Sequence, residues 1–416
     1  MSCVVSDFLS ENFFPGFKIT NISFSEVSDR DITIELEPAE PPVCPHCGSH
    51  NVVVHEYRQR VIKDEKLLGC FVTLVITYRT LKCNYCDCKY ATEDIPFLSD
   101  SFRVTKRAEE AVIEDLEMAG SIKDTSRRTG LSWDVCKNIH KRYLQSTISF
   151  SLGSSEFLAI DEFSIKKGHK YGTVVADIVT KRVLWVGEGK SNTEVSRFFE
   201  LCGKIGCQQI KAVAMDQNAG FASLVKRYCA KALVVYDLFH MVYNFGRLVI
   251  SAIRIRLANY YRDHGDEAGY QLLKGSRFLL LTRNSRLSEE KKLRLDSILS
   301  YYSELNKANE LKELLPEVYE ANSKAEAERL WTEWVRLAMS SGVEEIMKFA
   351  KSQNDHYRDG ITNAGIYHIR TSVLEGINNK IKVLKRVAYG YRDLDYFFLR
   401  IRSAFRGKFT PIPTIG

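Results

Sequence analysis

The chain has 416 residues, of which 45% are hydrophobic and 27% charged, so it has the composition of an ordinary globular protein with room for several domains. A formal net charge of +7 favours a polyanionic partner such as nucleic acid. The first residues, MSCVVSDFLSENFF, carry acids where an export signal carries Lys or Arg, and no apolar run reaches the roughly 18 residues of a membrane helix. We therefore expect neither export nor membrane insertion.

Four of the eleven cysteines form two C-x2-C pairs near the N-terminus. Cys44 and Cys47 lie in VCPHCGSH, and Cys83 and Cys86 lie in LKCNYCDCKY. Together the pairs can supply the four thiolates of a closed tetrahedral Zn²⁺ site. The 36 positions from Cys47 to Cys83 contain two stretches rich in β-branched residues, NVVVHEYRQRVI and CFVTLVITYRTLK. The spacing thus predicts a zinc ribbon with a long β-hairpin between the two pairs.

Other residues compete for this predicted zinc site. Cys88 is an alternative to Cys86, and His46 or His50 could replace a thiolate. Cys70 is predicted to lie within the second strand, in the core.

A helical pattern follows the cysteine module. The segment SIKDTSRRTGLSWDVCKNIHKRYL predicts a short helix, a turn at Gly130 and a second helix with Ser132 as its N-cap. Any small bundle contains such a corner, but directly after a zinc module it favours a helix-turn-helix that binds DNA. The candidate DNA-binding residues are Arg127, Arg128, Lys137, Lys141 and Arg142.

Alternating strands and helices come next. Residues 157–161, 171–178 and 183–186 read as three consecutive strands, and the apolar stretches IKAVAMD and ALVVYD read as two more, each preceded by a helix. Three successive strands followed by alternating helices and strands predict a mixed sheet covered by helices.

Three of these predicted strands end in an acid, namely Asp161, Asp216 and Asp237. Strand ends in such sheets are where ligands and metals usually bind, although a single Asp there could equally cap the following helix or turn. Two neighbouring carboxylates need positive charge between them, or one of them must hold a proton. A hard divalent metal with oxygen ligands is the simpler solution. Glu162 competes with Asp161, but strand neighbours point to opposite faces, so we expect only one of them to face the metal.

A C-terminal segment, TSVLEGINNKIKVLKRVAYGYR, predicts an amphipathic helix. Its apolar stripe consists of Leu374, Ile377, Ile381 and Leu384. The adjacent face carries Glu375, Asn379, Lys382 and Arg386. Such a face could direct one carboxylate toward a metal and direct amide and basic groups toward a phosphate backbone. A solvated, salt-bridged helix would have the same composition, so both interpretations stay open.

Taken together, these segments resemble the DDE transposases, specifically the ISL-three family of bacterial insertion sequences. The matching segments are CPHCGS, the helix-turn-helix, AIDEFSIKKGHKYGTVVAD, VAMDQNAGF, YDLFHMV and EGINNKIKVLKRVAYGYRDLDYFFLRI. The resemblance covers roughly residues 40 to 405, and its last segment is the most specific.

The resemblance implies a ribonuclease-H-like core in which Asp161, Asp216 and Glu375 hold two Mg²⁺ (or Mn²⁺) ions. Related transposases carry a helical insertion before the final acid, which accounts for the 159 positions between Asp216 and Glu375. Asp237 and His240 resemble a D-x2-H motif that supports the active site in several transposase families.

The resemblance also implies partners and further roles. Asn379 would orient a flanking group, and Lys382 and Arg386 would position DNA phosphates. The partners would be the terminal inverted repeats and target DNA, bound by a homodimer or larger assembly in the bacterial cytoplasm, at the nucleoid. The reaction would be two-metal phosphodiester hydrolysis followed by transesterification.

The predicted fold class is α/β multidomain, with a β-structured zinc ribbon, an α-helical helix-turn-helix and a ribonuclease-H-like mixed-sheet core that contains a large α-helical insertion. The predicted domains are an N-terminal segment (1–40), the zinc-binding domain (41–98), the helix-turn-helix (101–148), the catalytic domain (155–244 and 360–406) and the insertion (245–359). Trp331 and Trp334 are predicted to lie in the core of the insertion. Two other functions stay open: a nuclease or junction resolvase without strand transfer, and a DNA-binding regulator with an inactive core.

Overall fold

A computed structural model describes residues 2–26, 28, 30–86, 90–118, 120–166, 168, 170–369 and 371–407. The chain forms two compact units. The first comprises residues 2–149 with 385–391, and the second comprises residues 150–384 with 392–407. None of the helices in the described ranges has the length and apolarity needed to cross a bilayer.

The first unit contains a five-stranded sheet. Its elements are the helix α1 (Ser2–Phe13) and the strands β1 (Phe17–Phe24), β2 (Asp31–Pro38), β3 (Val52–Lys63), β4 (Phe71–Cys83) and β5 (Ala91–Thr92). The order is β1-β2-β4-β3, with β5 beside β4, and only the β2–β4 pair is parallel. Residues 1–40, predicted as a separate segment, thus contribute two strands to the sheet that carries the cysteines. Leu36, Leu74 and Ile76 are fully buried where β2 meets β4.

The strands β3 and β4 form the hairpin that the sequence predicts between the cysteine pairs. They pair antiparallel from Lys63 opposite Thr73 to Val52 opposite Cys83. Because the hairpin doubles back on itself, the chain just before Val52 returns beside Cys83, which brings the two cysteine pairs to the same end. Cys70 precedes β4 and is half-buried, so its predicted place inside a strand is wrong.

Three helices complete the first unit. They are α2 (Lys106–Glu117), α3 (Ile122–Thr129) and α4 (Trp133–Thr147). The hydroxyls of Thr105, Ser121 and Ser132 cap their N-termini. Gly130 ends α3 with φ of 74°, a left-handed conformation that glycine adopts at little cost. The predicted helix, glycine turn and Ser-capped helix are therefore confirmed.

The second unit is built on a mixed sheet. Its strands are β6 (Phe157–Lys166), β7 (Lys170–Asp177), β8 (Val183–Glu188), β9 (Ala212–Met215) and β10 (Leu233–Tyr236). The order is β10-β9-β6-β7-β8: the first three strands in sequence are antiparallel, and β9 and β10 run parallel to β6. The predicted mixed sheet is confirmed, although β6 continues five residues past Asp161, where the sequence predicted its end.

Helices cover this sheet and fill the long segment after it. They are α5 (Asn192–Gln209), α6 (Ala219–Tyr228), α7 (Leu238–Phe245), α8 (Ser251–Asp263), α9 (Glu267–Leu273), α10 (Arg277–Leu281), α11 (Glu289–Tyr301), α12 (Ser303–Glu320), α13 (Lys324–Met339), α14 (Glu344–Thr362), α15 (Ser372–Val387) and α16 (Leu394–Ala404). A π-helical turn, Gly246–Ile250, joins α7 to α8. The rings of Trp331 and Trp334 stack with centroids 5.0 Å apart and are buried, so the prediction that they form insertion core is confirmed.

Candidate functional sites

A large cleft opens in the second unit beside the middle of β6 and the ends of β9 and β10. Its volume is about 1460 Å³, above the roughly 300–1,000 Å³ of most small-molecule pockets. The cleft is lined by strand ends, by the start of α15, by α12 and by the connection from α10 to α11.

The register of the sheet places three acids in one row. Ile160 pairs with Met215, and Met215 pairs with Tyr236. The next residues along the three parallel strands are Asp161, Asp216 and Asp237, and all three line the cleft. Neighbouring strands lie about 4.8 Å apart, so these carboxylates converge without any long-range rearrangement of the chain.

Two hydrogen-bond donors hold the carboxylate of Asp161, yet its pKa remains raised. Its Oδ2 accepts a 2.7 Å hydrogen bond from Nδ2 of Asn378, and its Oδ1 accepts one of the same length from the backbone N–H of Glu162. Burial and the charge of Asp216 nevertheless raise the pKa of Asp161 to about 6. A further cation in the cleft would therefore be favourable.

His240 links the other two acids. Its Nδ1 lies 2.7 Å from Oδ1 of Asp216 and 3.0 Å from Oδ2 of Asp237. Hydrogen bonds to these carboxylates raise the pKa of His240 to about 10, so the ring is an imidazolium at neutral pH. Burial favours the neutral form of Asp237, but hydrogen bonds from His240 and Thr371 outweigh it and lower its pKa. Ligand atoms of Asp216, Asp237 and His240 lie within 4.8 Å of one another.

Glu375 lies in the first turn of α15, is exposed and lines the same cleft. Asn378, three residues later and so on the same helix face, makes the hydrogen bond to Asp161. The predicted apolar stripe of α15 is confirmed, since Leu374, Ile377, Ile381 and Leu384 are all buried. The predicted site residues Asp161, Asp216 and Glu375 therefore line one cleft, with Asp237 and His240.

The basic face of α15 is only partly in the cleft. Lys382 lines it, and its Nζ donates a 3.3 Å hydrogen bond to Oδ1 of Asn379, which lines it as well. Arg386 is exposed in the last turn of the helix.

Glu162 lines the cleft together with Asp161, and both residues are half-buried. The expectation that only one of these neighbours faces a metal stays a prediction. The carboxylate of Glu162 is occupied by Nζ of Lys190, at 3.2 Å, and by Nδ2 of Asn218, at 3.2 Å.

The four predicted zinc ligands lie together in the first unit. Sγ of Cys44 is 3.8 Å from that of Cys86, Sγ of Cys47 is 3.7 Å from that of Cys83, and all four lie within 4.8 Å of one another. With Zn–S bonds of about 2.3 Å, the edge of a regular tetrahedron is about 3.8 Å, so these thiols fit a zinc ion. Backbone N–H groups of Cys86 and Tyr85 lower the pKa of Cys83 to about 6, which favours its thiolate.

The predicted alternatives at the zinc site have different outcomes. His46 and His50 do not belong to the four-sulfur cluster found among the described residues. Cys86 belongs to the four-thiol cluster. Cys88 lies outside the described residues, so it stays an alternative prediction.

The predicted DNA-binding residues of the helix-turn-helix lie on its surface or half-buried. Arg127 pairs with Asp124, and a guanidinium nitrogen of Arg128 lies 2.6 Å from Asp115. Along α4, Nζ of Lys137 lies 5.7 Å from the ring centroid of Trp133. The remaining residues, Lys141 and Arg142, lie one turn further along α4. All five stay predictions as DNA contacts.

Sequence reasoning missed several residues at the cleft. Asn378, Asn218 and Lys190 contact the acids, but nothing in their local sequence distinguishes them from surface residues. The N-cap role of Asp237 was readable, because its side chain accepts from the backbone N–H of His240 three positions on.

Comparisons with known proteins agree over most of the chain. A zinc-finger of transposases IS204/IS1001/IS1096/IS1165 matches residues 40–86, a helix-turn-helix domain of transposase family ISL3 matches residues 93–144, and a transposase domain of the same family matches residues 158–401. The chain is 34% identical over 395 residues to the transposase for insertion sequence element IS1001 of Bordetella parapertussis, which covers 94% of this chain and 96% of that protein. It is 26% identical over 254 residues to the transposase for insertion sequence element IS1557 of Mycobacterium tuberculosis, or 57% of each chain. The chain therefore belongs to the ISL3 (ISL-three) family of insertion-sequence transposases.

Proposed function

We propose that this transposase cuts DNA at the terminal inverted repeats of its insertion sequence and joins the freed ends to target DNA, in a reaction that needs Mg²⁺ or Mn²⁺. The observation that carries the proposal is that Asp161, Asp216 and Glu375 line one cleft, although the first and last are 214 positions apart in the chain. Three acids in an open cleft of a basic protein suit metal-assisted chemistry on a polyanion.

The topology supports a ribonuclease-H-like assignment for the catalytic core, with residues 155–244 and 360–406 as its two parts and 245–359 as the insertion. Three antiparallel strands followed by two strands parallel to the first is the order that this assignment requires. The last acid then comes from a helix, α15, beyond the insertion.

The residues of the cleft fit divalent metal. Carboxylate oxygens are the ligands that Mg²⁺ and Mn²⁺ prefer. Burial, followed by the charge of Asp216, raises the pKa of Asp161, and a bound cation would offset both effects. Asp161, Asp216 and Glu375 would hold the metal. When bound, two such ions would supply Lewis-acid activation of the attacking water or 3′-hydroxyl and of the leaving oxygen.

The protein's own groups would set the geometry. Asp237 fixes His240, whose imidazolium in turn orients Asp216, and Asn378 orients Asp161. In this arrangement His240 and Asp237 support the site rather than act as nucleophile or base. The predicted contacts of α15 with DNA phosphates are made by Lys382 and Arg386, with Asn379 beside Lys382.

Recognition of the repeats falls to the first unit. The zinc ribbon, with structural Zn²⁺ on Cys44, Cys47, Cys83 and Cys86, would stabilise the platform that presents the helix-turn-helix. Its candidate DNA contacts are Arg127, Arg128, Lys137, Lys141 and Arg142. Because joining two DNA ends requires two active sites, we infer a homodimer or larger assembly on DNA, at the nucleoid of the cell that carries the element.

Incubation of the protein with Mg²⁺ or Mn²⁺ and DNA carrying the inverted repeats that flank its gene tests this function. End cleavage and joining, both lost in Asp216→Ala, are the expected result. Cleavage of branched DNA alone would identify a junction resolvase instead, and binding without cleavage would identify a regulator with an inactive core.

A further inference from the structure

The wall of the cleft contributed by the helical insertion carries two arginines. The connection from α10 to α11 contributes Thr282, Arg283 and Arg286 to the cleft that also contains Asp161 and Asp216. Within the described part of the chain neither guanidinium pairs with an acid, and Nε of Arg283 is buried without a hydrogen-bond partner. Two unneutralised cations therefore share an open cleft with the acids.

A buried ammonium group fixes the start of this loop. Lys312 of α12 is 2% exposed, and its Nζ donates hydrogen bonds to the carbonyl oxygens of Leu280, at 3.0 Å, and Thr282, at 2.7 Å. A third bond, of 3.0 Å, goes to Oδ1 of Asn309. Burying an ammonium group is costly unless hydrogen-bond acceptors replace its water. These bonds therefore hold the start of the loop in place.

The neighbouring acid of α12 holds the other side of the loop. Glu313 lies 3.2 Å from Nζ of Lys312, and its Oε1 accepts a 3.1 Å hydrogen bond from the backbone N–H of Asn284. Asn284 lies between Arg283 and Arg286. The backbone on both sides of Arg283 is therefore fixed before any ligand arrives, which reduces the entropy lost when the guanidinium groups bind.

We propose that Arg283 and Arg286 bind backbone phosphates of the DNA strand in the cleft, close to the cleaved bond, and that Lys312 and Glu313 are positioning residues for them. The proposal rests on the proposed function and extends it by giving the helical insertion a direct role at the cleaved strand. Guanidinium groups suit phosphate oxygens because their planar donors can bind two at once. The size of the cleft favours a phosphodiester chain over a small anion.

The proposal can be tested with inverted-repeat DNA in which single phosphates near the cleaved bond are replaced by uncharged methylphosphonates. In the unmodified protein, one or two such replacements should slow Mg²⁺-dependent cleavage by roughly 10-fold or more, the scale of a lost charged hydrogen bond. The double variant Arg283→Ala/Arg286→Ala should cleave ordinary DNA with a similar loss and show no further loss at the same phosphates. If the double variant loses as much as the unmodified protein at every position, the proposal is overturned.

The matched control removes two arginines outside the cleft. Arg329→Ala/Arg336→Ala changes the net charge equally, on α13, and should retain the full methylphosphonate effect. A second readout needs no cleavage: in Ca²⁺, the slope of log affinity for the DNA end against log salt should be smaller by about two for the cleft variant than for the control. If the unmodified protein never cleaves but the cleft variant still has the smaller salt slope, this proposal stands and the proposed function is refuted. If the unmodified protein cleaves normally but the cleft variant has an unchanged salt slope and an unchanged methylphosphonate effect, the proposed function stands and this proposal is refuted.

The positioning role has its own test. Glu313→Gln keeps an acceptor for the N–H of Asn284 and should retain the methylphosphonate effect, whereas Glu313→Ala should weaken it. Equal effects in the two variants, with only their thermal stabilities differing, would show that Glu313 has a structural role alone and would overturn this part.

Discussion

At the scale of single residues, the cleft combines groups whose charges depend on one another. Asp161 lies beside Asp216, which is already occupied by the imidazolium of His240. Burial and like charge leave the pKa of Asp161 at about 6, so a proton would compete with the proposed metal for its carboxylate just below neutral pH.

This competition predicts a pH-dependent need for metal. Because the pKa of Asp161 is raised, its carboxyl is protonated below about pH 6 and ionised above it. The Mg²⁺ concentration that gives half-maximal cleavage should therefore fall as pH rises from 5.5 to 7, and stay constant from pH 7 to 8. Titrations of cleavage against Mg²⁺ at several pH values measure this directly, and a requirement that is flat across the range would contradict it.

The two asparagines of α15 give a second prediction, because they are adjacent but differ in partner. Asn378 donates to Asp161, which lowers that pKa, whereas Asn379 accepts from Lys382. Asn378→Ala should therefore shift the acidic limb of the pH–cleavage profile to higher pH. Asn379→Ala leaves the bond to Asp161 intact and should leave the position of that limb unchanged. Identical profiles for both variants would contradict the role given to Asn378.

The sequence predicted Asn379 and not Asn378 for a supporting role. Both lie on α15 near Glu375, and the helical period alone cannot say which faces the sheet once the helix tilts. Which asparagine reaches Asp161 is determined by the packing of α15 beside β6. This contact joins residues 217 positions apart in the chain, so no local sequence pattern predicts it.

At the scale of elements, the zinc ribbon shows how much a spacing can predict. Two C-x2-C pairs separated by strand-forming residues predicted both the cluster of four thiols and the hairpin, since the chemistry of zinc requires the first and the pleat of paired strands fixes the second. The sequence did not predict that β2 would pair parallel to β4, because that pairing depends on burying one face of β2.

Loss of one predicted zinc ligand should unfold this element, whereas removal of a nearby thiol that is not a ligand should leave it folded. Cys47→Ser removes a ligand whose Sγ lies 3.7 Å from that of Cys83. The variant should bind well under one zinc per chain and lose affinity for inverted-repeat DNA, because binding of zinc and folding of such a ribbon are coupled. Metal analysis and DNA binding measure both effects. Cys70→Ser is the control; one zinc fewer in that variant too would contradict the assignment of ligands.

The glycine turn of the helix-turn-helix gives a prediction about stability. A methyl group added at Gly130 would lie 2.4 Å from the ring of Phe71, and the residue already has φ of 74°. Gly69 has φ of 85° with open space around it, so a substitution there measures the cost of backbone strain alone. Gly69→Ala should destabilise by roughly 1–2 kcal/mol, and Gly130→Ala by about 1–3 kcal/mol more, because Phe71 must move. Thermal unfolding measures the difference, and equal losses would contradict the packing described.

At the scale of the whole molecule, acids and bases from distant parts of the chain share one cleft. Asp161 in β6 and the acids that directly follow β9 and β10 were predictable as neighbours, because each follows an apolar run on one of three parallel strands. The arginines of the insertion were not, since a loop between two surface helices has no periodicity that points toward acids 46 to 125 positions earlier in the chain. Lys312 was not predictable either, because a sequence pattern alone would predict that a lysine in a helix lies on its exposed face.

The most direct test of the central claim compares cleavage of inverted-repeat DNA by Asp161→Asn, Asp216→Asn, Glu375→Gln and the control Glu188→Gln, an exposed acid at the end of β8. If the first three acids hold the catalytic metal, each of those variants should bind the DNA normally and lose at least about 1,000-fold in Mg²⁺-dependent cleavage, the scale of several kcal/mol of lost charge stabilisation. The control should cleave at the normal rate. Near-normal cleavage by Glu375→Gln, with the other two inactive, would contradict the claim that α15 completes the site.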